Sequence, residues 1–327
     1  MQRYPWQQQL IDSKITIDQL ANLLQLPIEQ LGGNTEASKL FPLRATKHYL
    51  DKIKKQDAQD PLLLQILPHI AETLTVPGYD NDPLQEKEFN PVPGLLHKYH
   101  SRVLLVTTGS CAIHCRYCFR RNFPYEDNQP SQNAWALPLE YIATHPEIDE
   151  VILSGGDPLT LNDKLLGSLI EKISAIPHIK RLRFHSRIPI ILPERITSEF
   201  IQLFDNTRLQ VIMVVHTNHA NEIDAQTKQI ATQLRLANMH LLNQTVLLKN
   251  INDNATTLAN LSHVLFDCGI QPYYLHLLDK VNGSAHFDIP VETAKHLYDE
   301  LQSLVSGYLV PKLVCEEPHA RSKKMAY

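Results

Sequence analysis

Glycine is scarce in this chain, 11 residues in 327, about half its usual share. The adjacent pair Gly155-Gly156 therefore carries more weight than it would in an ordinary composition. Cysteine is sparse too, with five residues, too few for a disulfide framework in so long a chain. Three of them, Cys111, Cys115 and Cys118, fall within eight residues, while Cys268 and Cys315 stand alone. In a reducing compartment such crowding points to metal binding before disulfides. Blocks of like charge are missing, apart from Lys52-Ile53-Lys54-Lys55, which reads as a solvated helix face. There is no basic stripe, which argues against a nucleic-acid partner. No apolar run approaches the 18 residues of a membrane span, and Met1-Gln-Arg-Tyr-Pro-Trp6 lacks the plan of a signal peptide. The expectation is a soluble, cytoplasmic protein. What is present is 43% hydrophobic and 20% charged residues, with a net charge of −4. That composition builds a sizeable core in one large domain or two ordinary ones and excludes global disorder.

Residues 1–95 read as a helical, irregular N-terminal domain. Thr16-Ile17-Asp18-Gln19 forms a capping box before a Leu-rich helix that stops near Pro27. Seven prolines between 42 and 93 break up the rest of this region. From about residue 100 a regular alternation begins. Short apolar runs at 103–107, 151–154, 181–185, 209–216, 240–248 and 272–278 read as buried strands. Helix-length amphipathic stretches lie at 162–176, 221–237, 255–266 and 291–305. The alternation predicts an α/β fold with a parallel sheet. Six βα units fit either an open, three-quarter barrel or a doubly wound sheet. Polar groups gather where each strand ends: the cysteine loop, Gly155-Gly156-Asp157, His185-Ser186-Arg187, 216–219, Asn243-Gln244 and Asp279-Lys280. That succession favours a barrel, whose active sites sit at the C-terminal ends of its strands.

The segment 109–121, GSCAIHCRYCFRR, follows the first of these strands. Thiolates at C-x3-C-x2-C spacing can wrap one corner of a [4Fe–4S] cubane, which normally takes four cysteines. Three leave one iron with an open site, able to chelate a substrate or cofactor. A zinc site needs a fourth ligand, and His114 lies between two of the cysteines. An electron-transfer cluster would recruit a fourth cysteine, for which Cys268 is open.

With Tyr117 as the aromatic residue before Cys118, this loop resembles that of the radical S-adenosylmethionine superfamily. Ser154-Gly155-Gly156-Asp157 resembles that superfamily's glycine motif, where the missing Cβ lets backbone approach the methionine amino group. The resemblance implies a partial (βα)6 TIM-like barrel over 96–308. It also implies that S-adenosylmethionine chelates the open iron and yields a 5′-deoxyadenosyl radical. Further segments narrow it: 93–100 (PGLLHKYH), 115–121 (CRYCFRR), 243–248 (NQTVLL), 272–279 (PYYLHLLD) and 306–312 (SGYLVPK). Over essentially the whole chain they resemble the lysine 2,3-aminomutases, nearest the short form that makes β-lysine for elongation factor P modification. An amino group migrating between adjacent carbons by a radical route needs a π system to carry the nitrogen. In that family pyridoxal 5′-phosphate supplies it.

The resemblance implies roles residue by residue. Lys323, in the C-terminal segment 309–327, is the Schiff-base lysine, with Lys324 a rival one residue away. Arg102 holds the cofactor phosphate and Lys98 assists. Arg120 pairs with the substrate α-carboxylate, Asp279 and Glu316 hold the ε-ammonium, and Gln244 lies near S-adenosylmethionine. His216 and Asn218 receive no role, since half-buried hydrogen bonding explains them. Glu316 stands where the free-lysine enzymes have Asp, and Pro318-His-Ala-Arg-Ser322 replaces their glycine-rich run. Ending at Tyr327, the chain lacks their C-terminal extension, which favours a homodimer over a tetramer. The implied partners are L-lysine, a flavodoxin-type electron donor, and elongation factor P with its lysyl ligase. Two rivals stand beside this reading: a 2,3-aminomutase for another amino acid, such as glutamate, and a non-catalytic zinc module.

Overall fold

The computed structural model describes residues 4–128 and 135–327. Local signals set most of its helices. Thr16 Oγ1 accepts from the Gln19 amide at 3.2 Å and the Gln19 side chain accepts from the Thr16 amide at 2.8 Å, closing the expected capping box on Ile17–Leu24. Asn162, Asp224 and Asn254 cap Asp163–Ser174, Ala225–Leu236 and Ala255–Asp267 in the same way, each accepting from a backbone N–H three residues on. Asp224 starts its helix four residues later than expected, because 220–222 form a separate 3-10 turn. The last long helix is Val291–Leu304.

Among the described residues one nine-stranded sheet forms: β1 (Leu95–Tyr99), β2 (Arg102–Thr108), β3 (Glu150–Gly155), β4 (Arg181–Ser186), β5 (Gln210–His216), β6 (His240–Val246), β7 (Gln271–His276), β8 (Lys312–Cys315) and β9 (Lys324–Met325). The strands lie in sequence order. β2 to β8 are parallel, while β1 and β9 are antiparallel at the two edges. A doubly wound sheet reverses its strand order at a switch point. This sheet does not reverse, so it is an α/β barrel left open between its edge strands. The six expected parallel strands are present and β8 adds a seventh. Four residues are too few for periodicity to reveal.

Burial alternates along β4 and β6, whereas β3 is buried throughout. Leu182, Phe184 and Ser186 of β4 are buried, whereas Arg181, Arg183 and His185 are only partly so. The buried set packs with Leu166, Leu169, Ile230 and Leu234 of the surrounding helices. Arg183, His185, His216, Gln244 and Tyr274 therefore face the lumen, which stays polar. The same core takes in Trp6, Leu20, Leu24, Tyr49 and Leu62 from the N-terminal helices. Lys52 corrects an expectation. It is in a turn rather than on a solvated helix face, its side chain is 10% exposed, and its Nζ reaches the Glu222 carbonyl at 2.6 Å and Asp224 at 3.2 Å. Lys54 and Lys55 are exposed as expected. No helix among the described residues is long and apolar enough to cross a membrane.

Candidate active site

The cysteine loop leaves the end of β2 and is held on both sides. The Gly156 amide donates to the Thr108 carbonyl at 2.7 Å and the Asp157 amide to the Ser110 carbonyl at 2.8 Å. A Cβ at Gly156 would lie 2.3 Å from the Ser110 carbonyl oxygen, and one at Gly155, where φ is +112°, 2.6 Å from that of Thr108. The close approach these glycines permit is thus between the end of β3 and the root of the loop. On the other side, Arg44 donates to the Cys111 carbonyl at 2.7 Å, and His114 stacks on Phe41 and bonds the Pro42 carbonyl through Nδ1. Arg116, fully buried, is paired with Glu72.

These contacts turn His114 toward the N-terminal segment and away from the thiols. Cys268 caps the helix that leads into the start of β7, at the opposite end of the barrel from the loop. Neither supplies a fourth ligand. Burial pushes the Cys118 thiol up to about 11, with Cys115 adding to it. Cys111 is raised by burial and then by Cys118, Asp157 and Cys115. The charge of one thiol reaches the next, yet among the described residues no three donors converge on a single metal ion. A donor set that is near, half-buried and not converged on one point fits a polynuclear cluster with three protein ligands.

Below the loop the lumen carries His185, His216 and His276. His185 and His216 meet edge to face at 5.5 Å, and the Nε2 atoms of all three are buried without a partner. This corrects the expectation for His216, which hydrogen bonding does not explain. Burial, then Arg187, Arg120 and Lys323, holds it down to about 3, so it is a neutral imidazole. Asn218 does meet the expectation, donating to Gln65 at 3.0 Å and to the Tyr117 hydroxyl at 2.7 Å. Gln244 lies in register with His216 on one side and Tyr274 on the other. Buried donors and acceptors with no protein partner suit a polar ligand in the lumen.

Asp157 is occupied: its carboxylate accepts from Ser186 Oγ at 2.7 Å and from the amides of Arg187, Ile188 and Leu159. It ties the ends of β3 and β4 together. Arg120 donates from Nε and Nη2 to Glu86 at 2.9 and 2.6 Å, and from Nη1 to Ser154 Oγ at 3.2 Å. Glu86, from a 3-10 turn 34 residues upstream, had no signal in the sequence. Arg102 stands at the start of β2, half-buried, with its guanidinium 4.3 Å from the Tyr99 ring. Among the described residues it makes no ion pair, which leaves its fork open to an anion.

Lys323 faces inward. Its Nζ contacts Glu316 and sits 5.6 Å from the Tyr274 ring centroid. Lys324 faces outward, 55% exposed, and pairs with Glu317. Glu316 also accepts from Lys98 at 3.2 Å and Tyr99 at 3.3 Å. Burial alone would raise its carboxyl, but Lys323 and Lys98 outweigh that and bring it down to about 2. Asp279, half-buried and beside Glu316, is pushed up to about 7 by loss of water and by that neighbour. Both carboxylates wall an open cleft of about 830 Å³ whose rim includes Asp80, Asp82 and Glu88.

Residues 100–184 match the family of 4Fe-4S single cluster domains. The L-lysine 2,3-aminomutase of Escherichia coli is 50% identical over 96% of this chain and 92% of its own length. The enzyme of the same name from Haemophilus influenzae is 50% identical over 91% and 88%, and that of Buchnera aphidicola 44% over 97% and 94%. A radical SAM methyltransferase from Sphaerobacter thermophilus, 15% identical, overlays 68% of each chain with a TM-score of 0.46, a likeness too slight to add to the sheet order.

Proposed function

The chain belongs to the L-lysine 2,3-aminomutase family, and we propose that it moves the α-amino group of L-lysine to the β-carbon. The observation that carries this reading is that the three-thiol loop and the inward Lys323 open on one polar lumen, with a guanidinium and two carboxylates beside them. When bound, the cluster with S-adenosylmethionine supplies a carbon radical, and pyridoxal phosphate supplies the π system that carries nitrogen.

The chain's own residues hold, orient and neutralise. Cys111, Cys115 and Cys118 would hold the cluster, three thiolates being one fewer than its four irons. Ser154, Gly155, Gly156, Asp157 and Gln244 shape the S-adenosylmethionine side, the two glycines by seating β3 on the loop. The open fork of Arg102, with Lys98, suits a phosphate dianion. Lys323 supplies the amine that takes up pyridoxal, which its inward direction supports over Lys324. Arg120 meets the α-carboxylate with the Nη edge that Glu86 leaves free, and Asp279 and Glu316 meet the ε-ammonium. Lysine is a cation at one end and a carboxylate at the other, and the site is charged in the opposite sense. A glutamate substrate would need a cation where Asp279 and Glu316 stand.

By the same reading the domains are 1–95, 96–308 and 309–327, the chain works as a cytoplasmic homodimer, and a flavodoxin-type protein reduces the cluster. Its β-lysine goes to elongation factor P through a lysyl ligase. The test is anaerobic turnover of L-lysine by reconstituted protein, with S-adenosylmethionine, pyridoxal phosphate or reductant omitted in turn. β-Lysine formed only in the complete mixture supports the reading. Zinc in place of iron and sulfide would favour the metal module instead, and no β-lysine with both cofactors bound would move attention to the carboxylate pair.

A further inference from the structure

Arg187, just past β4, is buried, and its guanidinium touches four side chains from three segments. Nη1 donates to Cys115 Sγ at 2.7 Å and to the Tyr117 hydroxyl at 2.9 Å. Nη2 donates to Gln65 Oε1 at 2.7 Å and to Glu222 Oε2 at 2.8 Å. The partners are themselves fixed. Glu222, fully buried, also accepts from Gln65 at 3.2 Å and from the amides of Asn218 at 2.9 Å and His219 at 3.2 Å. The guanidinium cannot swing away, since both arms are engaged and its side chain is 5% exposed.

None of the roles above needs Arg187, yet it holds a full positive charge and an N–H donor on one of the three cluster thiols. Iron–sulfur potentials respond to net charge, to hydrogen bonds on the sulfurs and to solvent exposure. One electron added to a cluster adds one negative charge, so a fixed cation at a ligand sulfur favours the reduced form. A carboxylate just beyond that cation opposes it, and the low dielectric of a buried site enlarges both effects.

We propose that Arg187 sets the reduction potential of the cluster through its N–H contact and charge at Cys115, with Glu222 as the counterweight that limits the rise. This rests on the three-cysteine loop holding a [4Fe–4S] cluster. Lysine in place of Arg187 would keep a charge but could not reproduce both contacts, because its single nitrogen cannot stand where Nη1 and Nη2 both stand.

The experiment is a mediated dithionite titration of the reconstituted protein, followed by the EPR signal of the reduced cluster, in the parent, Arg187→Met, Arg187→Lys and Glu222→Gln. Iron and sulfide per chain are measured first. Arg187→Met should shift the midpoint to more negative potential, Arg187→Lys less so, and Glu222→Gln to more positive potential. A merely structural role would move all three the same way or change only iron content. An unchanged midpoint in Arg187→Met with full iron, or shifts of one sign in Arg187→Met and Glu222→Gln, overturns the proposal. Should Arg187→Met fail to hold iron, the sign of the Glu222→Gln shift decides. A parent without iron and sulfide would overturn the cluster reading itself, and this proposal with it.

Discussion

Lys323 contacts Glu316 within the lumen, whereas Lys324 pairs with Glu317 at the surface. Neighbouring residues along an extended segment point to opposite sides, so one of the two must face out. Lys323→Ala should abolish the absorbance of protein-bound pyridoxal while leaving iron content intact, and Lys324→Ala should change neither. Absorbance that survives the first and vanishes in the second would exchange their roles. Asp279 supplies a pH prediction. Its carboxyl, raised to about 7 chiefly by burial and then by Glu316, is neutral below that pH and cannot hold an ammonium. kcat/KM for lysine should therefore fall about tenfold per pH unit as pH drops below 7. Profiles of kcat/KM against pH, with iron content checked at each point, read this directly, and a flat profile down to pH 5.5 would remove Asp279 from the clamp. These surroundings were invisible in the sequence, where only the family resemblance set Lys323 ahead of Lys324 and Glu86 carried no mark at all.

At the scale of elements, the end of β3 and the cysteine loop form one unit. Gly156 has no room for a methyl group, since the nearest atom would be a backbone carbonyl at 2.3 Å. Gly156→Ala should displace the loop and destabilise the fold by about 1–3 kcal/mol. Iron per chain after reconstitution should fall with it, measured beside thermal melting. An alanine variant with normal iron and melting would show that the strand end yields. The elements themselves were largely legible. Asn162, Asn254 and the Thr16 capping box start helices through contacts three residues long, and apolar runs mark β2 to β7. β8 was missed because four residues show no period.

For the molecule as a whole, Glu72 joins the N-terminal helices to the barrel. It pairs with Arg116 and, at 2.7 Å, with Arg121, and all three side chains are at most 4% exposed. Glu72→Gln would leave two buried guanidiniums short of their counter-charge. A loss of about 3–5 kcal/mol is expected, read as a lower denaturation midpoint with the slope unchanged, and cluster assembly should suffer because Arg116 lies within the loop. A loss well under 1 kcal/mol would mean that water or the neighbouring carbonyls satisfy the pair.

Local features were written in the chain: the three-thiol spacing, because one loop carries all its ligands, and the helices and strands, because caps and periods act over a few residues. Features that depend on distant partners came only with folding. Whether six βα units close toward a barrel or reverse at a switch point is a matter of which strands pair, and each parallel pairing joins segments that a whole helical connection separates in the chain. Folding likewise brought Glu86 to Arg120 and Arg187 to Cys115, 34 and 72 residues apart. A buried charge must find a counter-charge wherever the chain brings one, and no spacing rule in the sequence records where that will be.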